Sequence, residues 1–212
     1  MIDKEKFHAE ISKGDRDKVK KLIQEALAAG ESAEVILDQG IIPAMGSVGQ
    51  RFKDGEIYIP EVLLAARAMH AGMELLKPIL TRSKGGMKGK VLMGTVKGDL
   101  HDIGKNLVGM MLEGGGYEVV DLGTDVSASK FLEAIEKHKP QVVGMSALLT
   151  TTMLEMKNTI QAIEKAGLRK RVKTIVGGAP VTEGFAKTIG ADGFALNARE
   201  AVDVVTSLVK AK

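Results

Sequence analysis

The sequence of 212 residues predicts an α/β protein in which a four-helix bundle precedes a doubly wound domain with a five-stranded parallel sheet. Two observations predict this fold. The first third of the chain has the apolar spacing of amphipathic helices, and short apolar runs alternate with helical stretches in the remainder. Between these parts, residues 81–90 are basic, contain glycines and lack periodicity, which is typical of a linker. We therefore expect a helical cap domain at 1–86 and an α/β domain at 87–212.

The predicted bundle rests on apolar stripes and helix-end signals. Gly30 offers a helix stop, and Ser32 offers an N-cap for the next helix. Pro43 lies inside that next helix and should kink or split it, whereas Pro60 suits the first turn of another helix. Four such segments with short connections predict a small bundle. The clearest stripe, at spacing i, i+3, i+4, i+7 and i+8, comprises Val19, Leu22, Ile23, Ala26 and Leu27.

The second part of the chain alternates between strand and helix signals. Its apolar runs lie at Val91–Val96, Tyr117–Leu122, Val142–Met145, Thr174–Val176 and Gly193–Leu196. The helical stretches lie near 105–113, 128–138, 153–166, 182–189 and 199–210. This alternation predicts βαβ units and a flavodoxin-like (Rossmann-like) domain. Ligands of such sheets bind beyond the carboxyl ends of the strands, so the loops after strands one, three and four are the candidate site.

Composition excludes several kinds of partner and site. The net charge of +3, from 30 basic and 27 acidic residues, is too balanced to indicate nucleic acid or an anionic membrane as the main partner. The absence of Cys excludes disulfides, cysteine nucleophiles, zinc thiolates and Cys-ligated iron–sulfur clusters. We find no apolar run of membrane-spanning length and no signal-peptide pattern, so we expect a cytoplasmic protein.

The loop after the first strand, residues 97–106, has the sequence KGDLHDIGKN and could be mistaken for a phosphate-binding loop. That motif requires four residues between Gly and Gly-Lys, followed by Ser or Thr. Here Gly98 and Gly104 enclose five residues, and Asn106 follows Lys105. Because no hydroxyl is available to a magnesium ion at that position, we reject the nucleotide interpretation.

The same loop contains Asp99 and His101, two residues apart. A carboxylate at this spacing can accept a hydrogen bond from one imidazole nitrogen, which fixes the tautomer and raises the basicity of the other nitrogen. Metal-bound histidines commonly have such a partner. From this loop alone, an equally good explanation is that both side chains simply cap the following helix.

Two further loops contain unusual residues. Four hydroxyl side chains follow the third strand, at Ser146, Thr150, Thr151 and Thr152, although a helix cap needs only one of them. Gly177 and Gly178 follow the fourth strand, and paired glycines allow close approach of a ligand or of another backbone segment. An ordinary tight turn explains the glycines equally well.

Taken in order, the three loops resemble the cobalamin-binding signature of methionine synthase and of the methyltransferase corrinoid proteins. That signature is DxHxxG, then SxL, then GG, and it matches residues 99–104, 146–148 and 177–178. The gaps between the motifs, 41 residues and then 28 residues, match as well. Upstream, residues 40–69 are similar to the helical cap segment of the same family, through its Val-Gly, Gly-Glu and Tyr-Ile-Pro positions.

The resemblance implies a cobalamin (corrinoid) cofactor in the base-off/His-on state, with the displaced nucleotide tail in a slot of the α/β domain. His101 would be the lower axial cobalt ligand, Asp99 its hydrogen-bond partner, and Thr152 the third member of that relay. Tyr58, together with Met69, would face the upper side of the cobalt. The cofactor-binding residues that the resemblance implies are Gly98, Asp99, Leu100, His101, Asp102, Ile103, Gly104, Ser146, Leu148, Thr150, Gly177, Gly178, Ala198 and Tyr58.

The resemblance also implies a role as methyl carrier, with the cofactor alternating between methylcob(III)alamin and cob(I)alamin. A substrate-specific methyltransferase would supply the methyl group from a methylamine, methanol, a betaine or an aryl methyl ether. A second methyltransferase would pass it to tetrahydrofolate or coenzyme M, and a reductive activator protein would restore the cobalt. The chain would thus be a non-catalytic subunit of a methyltransferase system.

Three alternatives remain at this point. One is the cobalamin-binding small subunit of an adenosylcobalamin mutase, although such subunits generally lack the cap segment at 40–69. Another is a cobalamin-sensing regulator, which would add a DNA-binding or signalling domain. The third is a plain flavodoxin-like domain whose Asp and His cap a helix.

Overall fold

The computed structural model describes residues 2–80 and 87–210. The chain divides into a helical unit, Met1–Lys88 with Glu113–Tyr117, and an α/β unit, Gly89–Leu112 with Glu118–Lys212. Residues 81–86 of the predicted linker lie outside the described residues, so the domain bounds of 1–86 and 87–212 stay a prediction. No helix in the described part of the chain is long and apolar enough to cross a membrane.

The helical unit is helical as predicted, but its described residues form five α-helices where the sequence predicted four segments. They are α1 (Lys4–Lys13), α2 (Arg16–Ala28), α3 (Ala33–Ile36), α4 (Ile42–Lys53) and α5 (Ile59–Leu80). Ser32 caps α3 as predicted, because its hydroxyl accepts a hydrogen bond from the Val35 N–H. The predicted helix through Val35 and Val48 is interrupted before Pro43, as expected. A π-helical turn at Leu37–Ile41 separates α3 from α4, and Pro43 lies in the first turn of α4.

The core of the helical unit depends on a close helix crossing. Gly72 of α5 has no room for a side chain, since a β-carbon there would lie 2.6 Å from Ile23 Cδ1 and 3.0 Å from Val19 Cγ1. The apolar stripe of α2 therefore packs directly against the backbone of α5. This explains why the stripe is fully buried at Val19 and Ile23.

The α/β unit has the predicted doubly wound architecture, with parallel strands in the order β2-β1-β3-β4-β5. This is the strand order of flavodoxin-like folds. The strands are β1 (Lys90–Thr95), β2 (Glu118–Asp121), β3 (Val142–Ser146), β4 (Lys173–Gly177) and β5 (Gly193–Phe194). The helices are α6 (Ile103–Gly114), α7 (Ala128–His138), α8 (Leu154–Lys165), α9 (Glu183–Thr188) and α10 (Ala198–Lys210).

The register of the sheet brings the three motif loops to one edge. Thr95 at the end of β1 pairs with Ser146 at the end of β3, and Ser146 pairs with Gly177 at the end of β4. The loops β1–α6, β3–α8 and β4–α9 therefore leave the sheet at the same level. Apolar side chains are buried on both faces of these strands, for example at Val91 and Leu92, as expected for a parallel sheet covered by helices on both sides.

The opposite edge of the sheet has a structural carboxylate whose replacement we expect to be costly. Asp192, before β5, accepts hydrogen bonds from Arg169 Nη1 (2.6 Å), from the Thr174 N–H (2.7 Å) and from Thr174 Oγ1 (3.1 Å). Burial alone would raise the pKa of Asp192, but the donors on Arg169 and Thr174 outweigh burial and lower the pKa below its ordinary value.

We predict that Asp192→Ala lowers the free energy of unfolding by about 2–3 kcal/mol near neutral pH. Because the pKa is lowered in the folded state, the stabilisation is present above the unfolded pKa of about 3.9 and is lost as the pH falls below it. Urea denaturation of both proteins across this range measures the effect. If the difference in unfolding free energy between the wild type and Asp192→Ala stayed constant down to about pH 2, the predicted role of the ionised carboxylate would be wrong.

Candidate functional site

The site is built on the carboxyl edge of the sheet, where backbone hydrogen bonds hold the motif loops together. The Val96 N–H donates to the Ser146 carbonyl at 3.0 Å, and the Ala147 N–H donates to the Gly177 carbonyl at 3.3 Å. Each loop thus extends the sheet by one further bond before it diverges. As a result, side chains that are distant in the sequence meet at this edge.

Asp99 is the centre of the site. Its carboxylate is completely buried and accepts five hydrogen bonds. Oδ1 accepts from the backbone N–H of His101 at 3.1 Å and from His101 Nδ1 at 2.8 Å. Oδ2 accepts from the N–H of Leu148 at 2.8 Å, from the N–H of Leu149 at 3.2 Å and from Thr152 Oγ1 at 2.7 Å. One buried carboxylate therefore joins the loop after β1 to the loop after β3.

These donors keep Asp99 ionised. Burial by itself would raise the pKa of Asp99, but the hydrogen bonds from Thr152, Leu148 and His101 outweigh it and hold the pKa well below its ordinary value. An ionised carboxylate can only accept hydrogen bonds. The proton of the bond between Asp99 and His101 must then be on Nδ1, which makes Nε2 of a neutral His101 the nitrogen with a free lone pair.

His101 is held at three points and still reaches the surface. Besides the bonds from its Nδ1 and its backbone N–H to Asp99, its carbonyl accepts a hydrogen bond of 2.9 Å from the hydroxyl of the fully buried Thr95. Its side chain is 51% exposed, and Nε2 makes no hydrogen bond with any described residue. A fixed imidazole with one free, accessible nitrogen is the arrangement that a metal ligand requires.

The structure also brings Thr152 into this network, where the sequence motif predicted it. Its hydroxyl oxygen lies 2.7 Å from Asp99 Oδ2 and 2.9 Å from the carbonyl oxygen of Leu149. One hydroxyl proton cannot serve both acceptors fully, and the ionised carboxylate is the stronger of the two. Thr152 therefore offers its proton chiefly to Asp99, and it has an alternative acceptor within reach.

Two glycines of the motifs are explained by opposite kinds of surroundings. A β-carbon on Gly178 (φ +132°) would lie 1.9 Å from the Ala147 carbonyl oxygen, so the protein's own backbone excludes any side chain there. Gly104 has no atom within 4 Å of such a carbon, so the protein itself does not require glycine at this position. Gly177 is an intermediate case, because a β-carbon there would make a tight contact of 3.2 Å with the Ala195 carbonyl oxygen. Open space at Gly104 suits the close approach of a ligand.

Exposed apolar side chains surround His101 in the sequence and follow the ends of other strands. Leu100 is 72% exposed, Ile103 is 71% exposed and Leu196, after β5, is 77% exposed; Leu148 is also exposed. Large exposed apolar side chains at the carboxyl ends of parallel strands are candidates for contact with a ligand. The hydroxyls of Ser146 and Thr150 make no hydrogen bond with a described residue, so they are free to contact a ligand.

The remaining predicted residues differ in their positions. Asp102 directly precedes α6 and accepts a hydrogen bond from the Asn106 side chain at 3.0 Å, and Ala198 is buried at the start of α10. Tyr58 belongs to the helical unit and is 68% exposed. Met69, by contrast, is fully buried, so the expectation that its side chain faces a cofactor is wrong. The apolar stripe of α5 needs Met69 for the core.

Sequence reasoning missed two residues that act on the His101 loop. Thr95 lies inside an apolar strand, and nothing in its pattern distinguishes its hydroxyl from a packing residue. Asp125 lies in the loop after β2, which the motifs do not include. Its carboxylate accepts the Gly98 N–H at 2.7 Å, and its own N–H donates to the Asp99 carbonyl at 3.0 Å. The backbone of Asp125 is in the left-handed region (φ +53°), and a sequence does not reveal such a conformation.

Comparison with known proteins identifies the family to which this geometry belongs. Residues 89–206 match a family model described as a B12 binding domain, and residues 4–77 match a second model with the same description. The chain belongs to the B12-binding family. The resemblance to methyltransferase corrinoid proteins is confirmed, and so is the predicted fold, a helical region followed by a Rossmann-like corrinoid-binding domain.

Individual relatives of this B12-binding protein are similar over nearly their whole length. Trimethylamine corrinoid protein 2 of Methanosarcina mazei is 42% identical over 202 residues, which are 94% of this chain and 93% of the relative. A corrinoid protein of Desulfitobacterium hafniense is 39% identical over 94% of each chain. Among solved structures, the methanol:cobalamin methyltransferase complex of Methanosarcina barkeri matches with a TM-score of 0.86 and 31% identity, over 98% of this chain and 79% of that chain.

Proposed function

We propose that this protein is a methyl carrier that holds a base-off corrinoid through His101. The observation that carries the proposal is the pair of Asp99 and His101, in which a buried carboxylate holds Nδ1–H while Nε2 remains free and accessible. A bound corrinoid would supply a cobalt centre that accepts and releases a methyl group. The protein would supply the lower axial nitrogen and control its proton.

The residues present fit such a cofactor. One histidine nitrogen does not hold a cobalt ion by itself, so the other ligands must come from a macrocycle, as in haem proteins. A large ring needs an apolar surface around the histidine, and Leu100, Ile103 and Leu148 offer one. It also needs a close approach to the backbone, which the open space at Gly104 allows. The free hydroxyls of Ser146 and Thr150 would face the nucleotide tail.

In this proposal Asp99 and Thr152 adjust the ligand strength of His101. While Asp99 accepts Nδ1–H, the carboxylate charge raises the basicity of Nε2 and favours its bond to a metal. If Thr152 turned its hydroxyl proton toward the Leu149 carbonyl, 2.9 Å away, the Asp99 carboxylate would lose a donor and would accept a proton more readily. The network can thus follow a change of axial bonding with small movements of protons.

The names of the relatives support a methylated one-carbon compound as the methyl source. Those named for trimethylamine and dimethylamine cover most of this chain, and the structurally similar complex is a methanol:cobalamin methyltransferase. We propose a donor of the methylamine or methanol type, bound by a separate substrate-specific methyltransferase. A second methyltransferase that acts on tetrahydrofolate or coenzyme M, and a reductive activator, would complete the system.

The helical unit, with its own family match, favours this role over a mutase subunit.

The axial ligand is tested on the purified protein loaded with cob(II)alamin. We expect the electron paramagnetic resonance spectrum to show splitting by one axial nitrogen. The splitting pattern should change when histidine is labelled with ¹⁵N, because dimethylbenzimidazole would remain ¹⁴N. In His101→Ala the splitting should disappear. The corrinoid affinity of this variant should fall at least tenfold, which corresponds to about 1.4 kcal/mol of binding free energy. His138→Ala, at the far end of α7, is the matched control.

An axial signal that persists in His101→Ala, or that does not respond to ¹⁵N-histidine, would refute the proposed ligand. The carrier role is tested separately, with protein that holds a ¹⁴C-methylated corrinoid. We expect no methyl transfer to tetrahydrofolate or coenzyme M until a methyltransferase of the second type is added. Rapid transfer by the purified protein alone would contradict a carrier without catalytic activity of its own.

A further inference from the structure

The loop after β2, residues 122–126, runs beside the loop that contains His101. The Thr95 N–H donates to the Gly123 carbonyl at 3.0 Å, and the Val126 N–H donates to the Thr95 carbonyl at 2.9 Å. Val126 also forms a parallel bridge with Val96. The sheet is therefore continued beyond β1 and β2, up to the point where Gly98 and Asp99 begin the motif loop.

Asp125 makes the last and most specific of these contacts. Its carboxylate Oδ1 accepts the Gly98 N–H at 2.7 Å, while its own N–H donates to the Asp99 carbonyl at 3.0 Å. One residue thus binds the main chain on both sides of the peptide that joins Gly98 to Asp99. Because Asp125 is exposed, its packing does not explain its presence.

The backbone of Asp125 is itself unusual. Its φ of +53° lies in the left-handed region, which L-residues other than Asn and Asp rarely adopt. Among the described non-glycine residues, Lys139 alone shares this conformation, and it ends α7 as a C-cap. Asp125 neither ends nor begins a helix, since it follows β2 and the N-cap of α7 is Ser127. The two bonds to Gly98 and Asp99 are the visible reason for the conformation.

These contacts hold Asp99 from a second direction. The loop after β3 holds its carboxylate through Leu148, Leu149 and Thr152, whereas Asp125 holds its main chain. Both donors to Oδ1 belong to His101 itself, so the position of Oδ1 depends on where the Asp99 main chain lies. Asp125 shares the task of holding that main chain with the Val96 carbonyl, which accepts the Asp99 N–H at 3.1 Å. The position of Oδ1 in turn orients the imidazole through Nδ1.

We infer that Asp125 is a positioning residue for the axial histidine. By holding the Gly98–Asp99 peptide, it sets the orientation of the His101 ring and so the strength of the bond from Nε2 to a corrinoid cobalt. This inference rests on the proposed function, since it concerns the ligand that the proposal assigns. It adds a fourth loop to a site that the sequence motifs assign to three.

Three variants separate the parts of this role. Asp125→Asn retains a side-chain oxygen for the Gly98 N–H and tolerates the left-handed backbone. Asp125→Gly retains the backbone conformation and loses the acceptor, and Asp125→Ala loses the acceptor and strains the backbone. Ser127→Ala is the matched control, because it also removes one acceptor of a backbone N–H, that of Lys130, on the neighbouring helix end.

The readout is the ratio of His-bound to His-free cob(II)alamin, taken from the electron paramagnetic resonance spectrum. We expect this ratio to fall about threefold to tenfold in Asp125→Ala, which is the effect of losing one ordinary hydrogen bond. The fall in Asp125→Gly should be smaller, because the backbone conformation is kept. The ratio should stay within about twofold of the wild type in Asp125→Asn and Ser127→Ala. In the apoprotein, ¹H–¹⁵N correlation spectra should show a smaller fraction of the Nδ1–H tautomer of His101 in Asp125→Ala.

Two results would overturn the inference. One is a wild-type ratio in both Asp125→Ala and Asp125→Gly, and the other is an equal fall in Asp125→Asn. Thermal unfolding of each apoprotein shows whether a variant is destabilised in general. If general destabilisation caused the lower ratio of His-bound to His-free cob(II)alamin, Ser127→Ala would lower the ratio equally, and the inference would fail. If the wild type itself showed no histidine nitrogen on cobalt, the proposed function would fail instead, which is a separate outcome.

Discussion

Asp99→Ala is expected to abolish corrinoid retention and to lower the free energy of unfolding of the apoprotein by about 3–5 kcal/mol. The substitution removes the acceptor of five hydrogen bonds at once. The N–H groups of Leu148 and Leu149 and the hydroxyl of Thr152 would lose their common partner at a buried position. Each unsatisfied buried donor costs about 1–3 kcal/mol, and part of this is recovered if water enters.

Asp99→Asn tests the chemistry of the site with little change of volume. An amide has one oxygen and one NH2 group, whereas every partner of the Asp99 carboxylate is a donor. If the NH2 group faced His101, Nδ1 would have to accept, and the proton would move to Nε2 and block the metal-binding nitrogen. If it faced Leu148 and Thr152, the loop after β3 would be repelled. We therefore expect weaker axial ligation in either orientation.

These effects are measured by urea denaturation of the apoproteins and by corrinoid titration. Thr152→Ser retains the hydroxyl and is the control, while Thr152→Val removes it at nearly constant shape. We expect Thr152→Ser to behave almost as the wild type, and Thr152→Val to lose about 1–2 kcal/mol of stability. An Asp99→Asn protein with wild-type stability and an unchanged axial nitrogen signal would show that the carboxylate does not organise the site.

Gly178→Ala is expected to have the other large effect, which is the loss of a folded α/β unit. The new methyl carbon would lie 1.9 Å from the carbonyl oxygen of Ala147, and the φ of +132° is one that L-residues rarely adopt. Neither β3 nor β4 can move without breaking the register between Ser146 and Gly177. We expect a loss of at least about 4 kcal/mol, which is the upper range for single substitutions.

Gly104→Ala is the matched comparison. Nothing lies within 4 Å of a β-carbon at this position, and Gly104 is in the first turn of α6. The apoprotein should keep its stability or gain up to about 1 kcal/mol from the better helix former. Corrinoid binding should weaken at least tenfold if a ligand uses the open space. Circular dichroism of both variants and titration of Gly104→Ala measure these outcomes, and a normally folded Gly178→Ala would contradict the first prediction.

The fold was largely predictable because its signals are local. The alternation of strands and helices, with glycines and caps between them, predicts a parallel sheet without reference to any distant contact. Ser32 and the stripe through Val19 and Ile23 have the predicted positions. Met69 was misjudged because an apolar residue on a helix has the same pattern whether it contacts the core or a ligand.

The roles of the motif residues needed three-dimensional information to different degrees. The two-residue spacing of Asp99 and His101 made their hydrogen bond a reasonable prediction, since both lie on one loop. The bond from Thr152 to Asp99 spans 53 residues, and it became predictable only through a family pattern. Nothing in the sequence distinguishes Gly104, which has open space beside it, from Gly178, which the backbone of Ala147 requires.

The sequence by itself thus determined the order of the elements and pointed to the candidate loops and to the pair of Asp99 and His101, because these depend on local periodicity and on short motifs. The tertiary structure decided how that histidine is held. Strand register brings the ends of β1, β3 and β4 to one level, and only then does a buried carboxylate gain donors from two loops. Asp125 belongs to this second class, since it contacts Gly98 only because β2 lies beside β1.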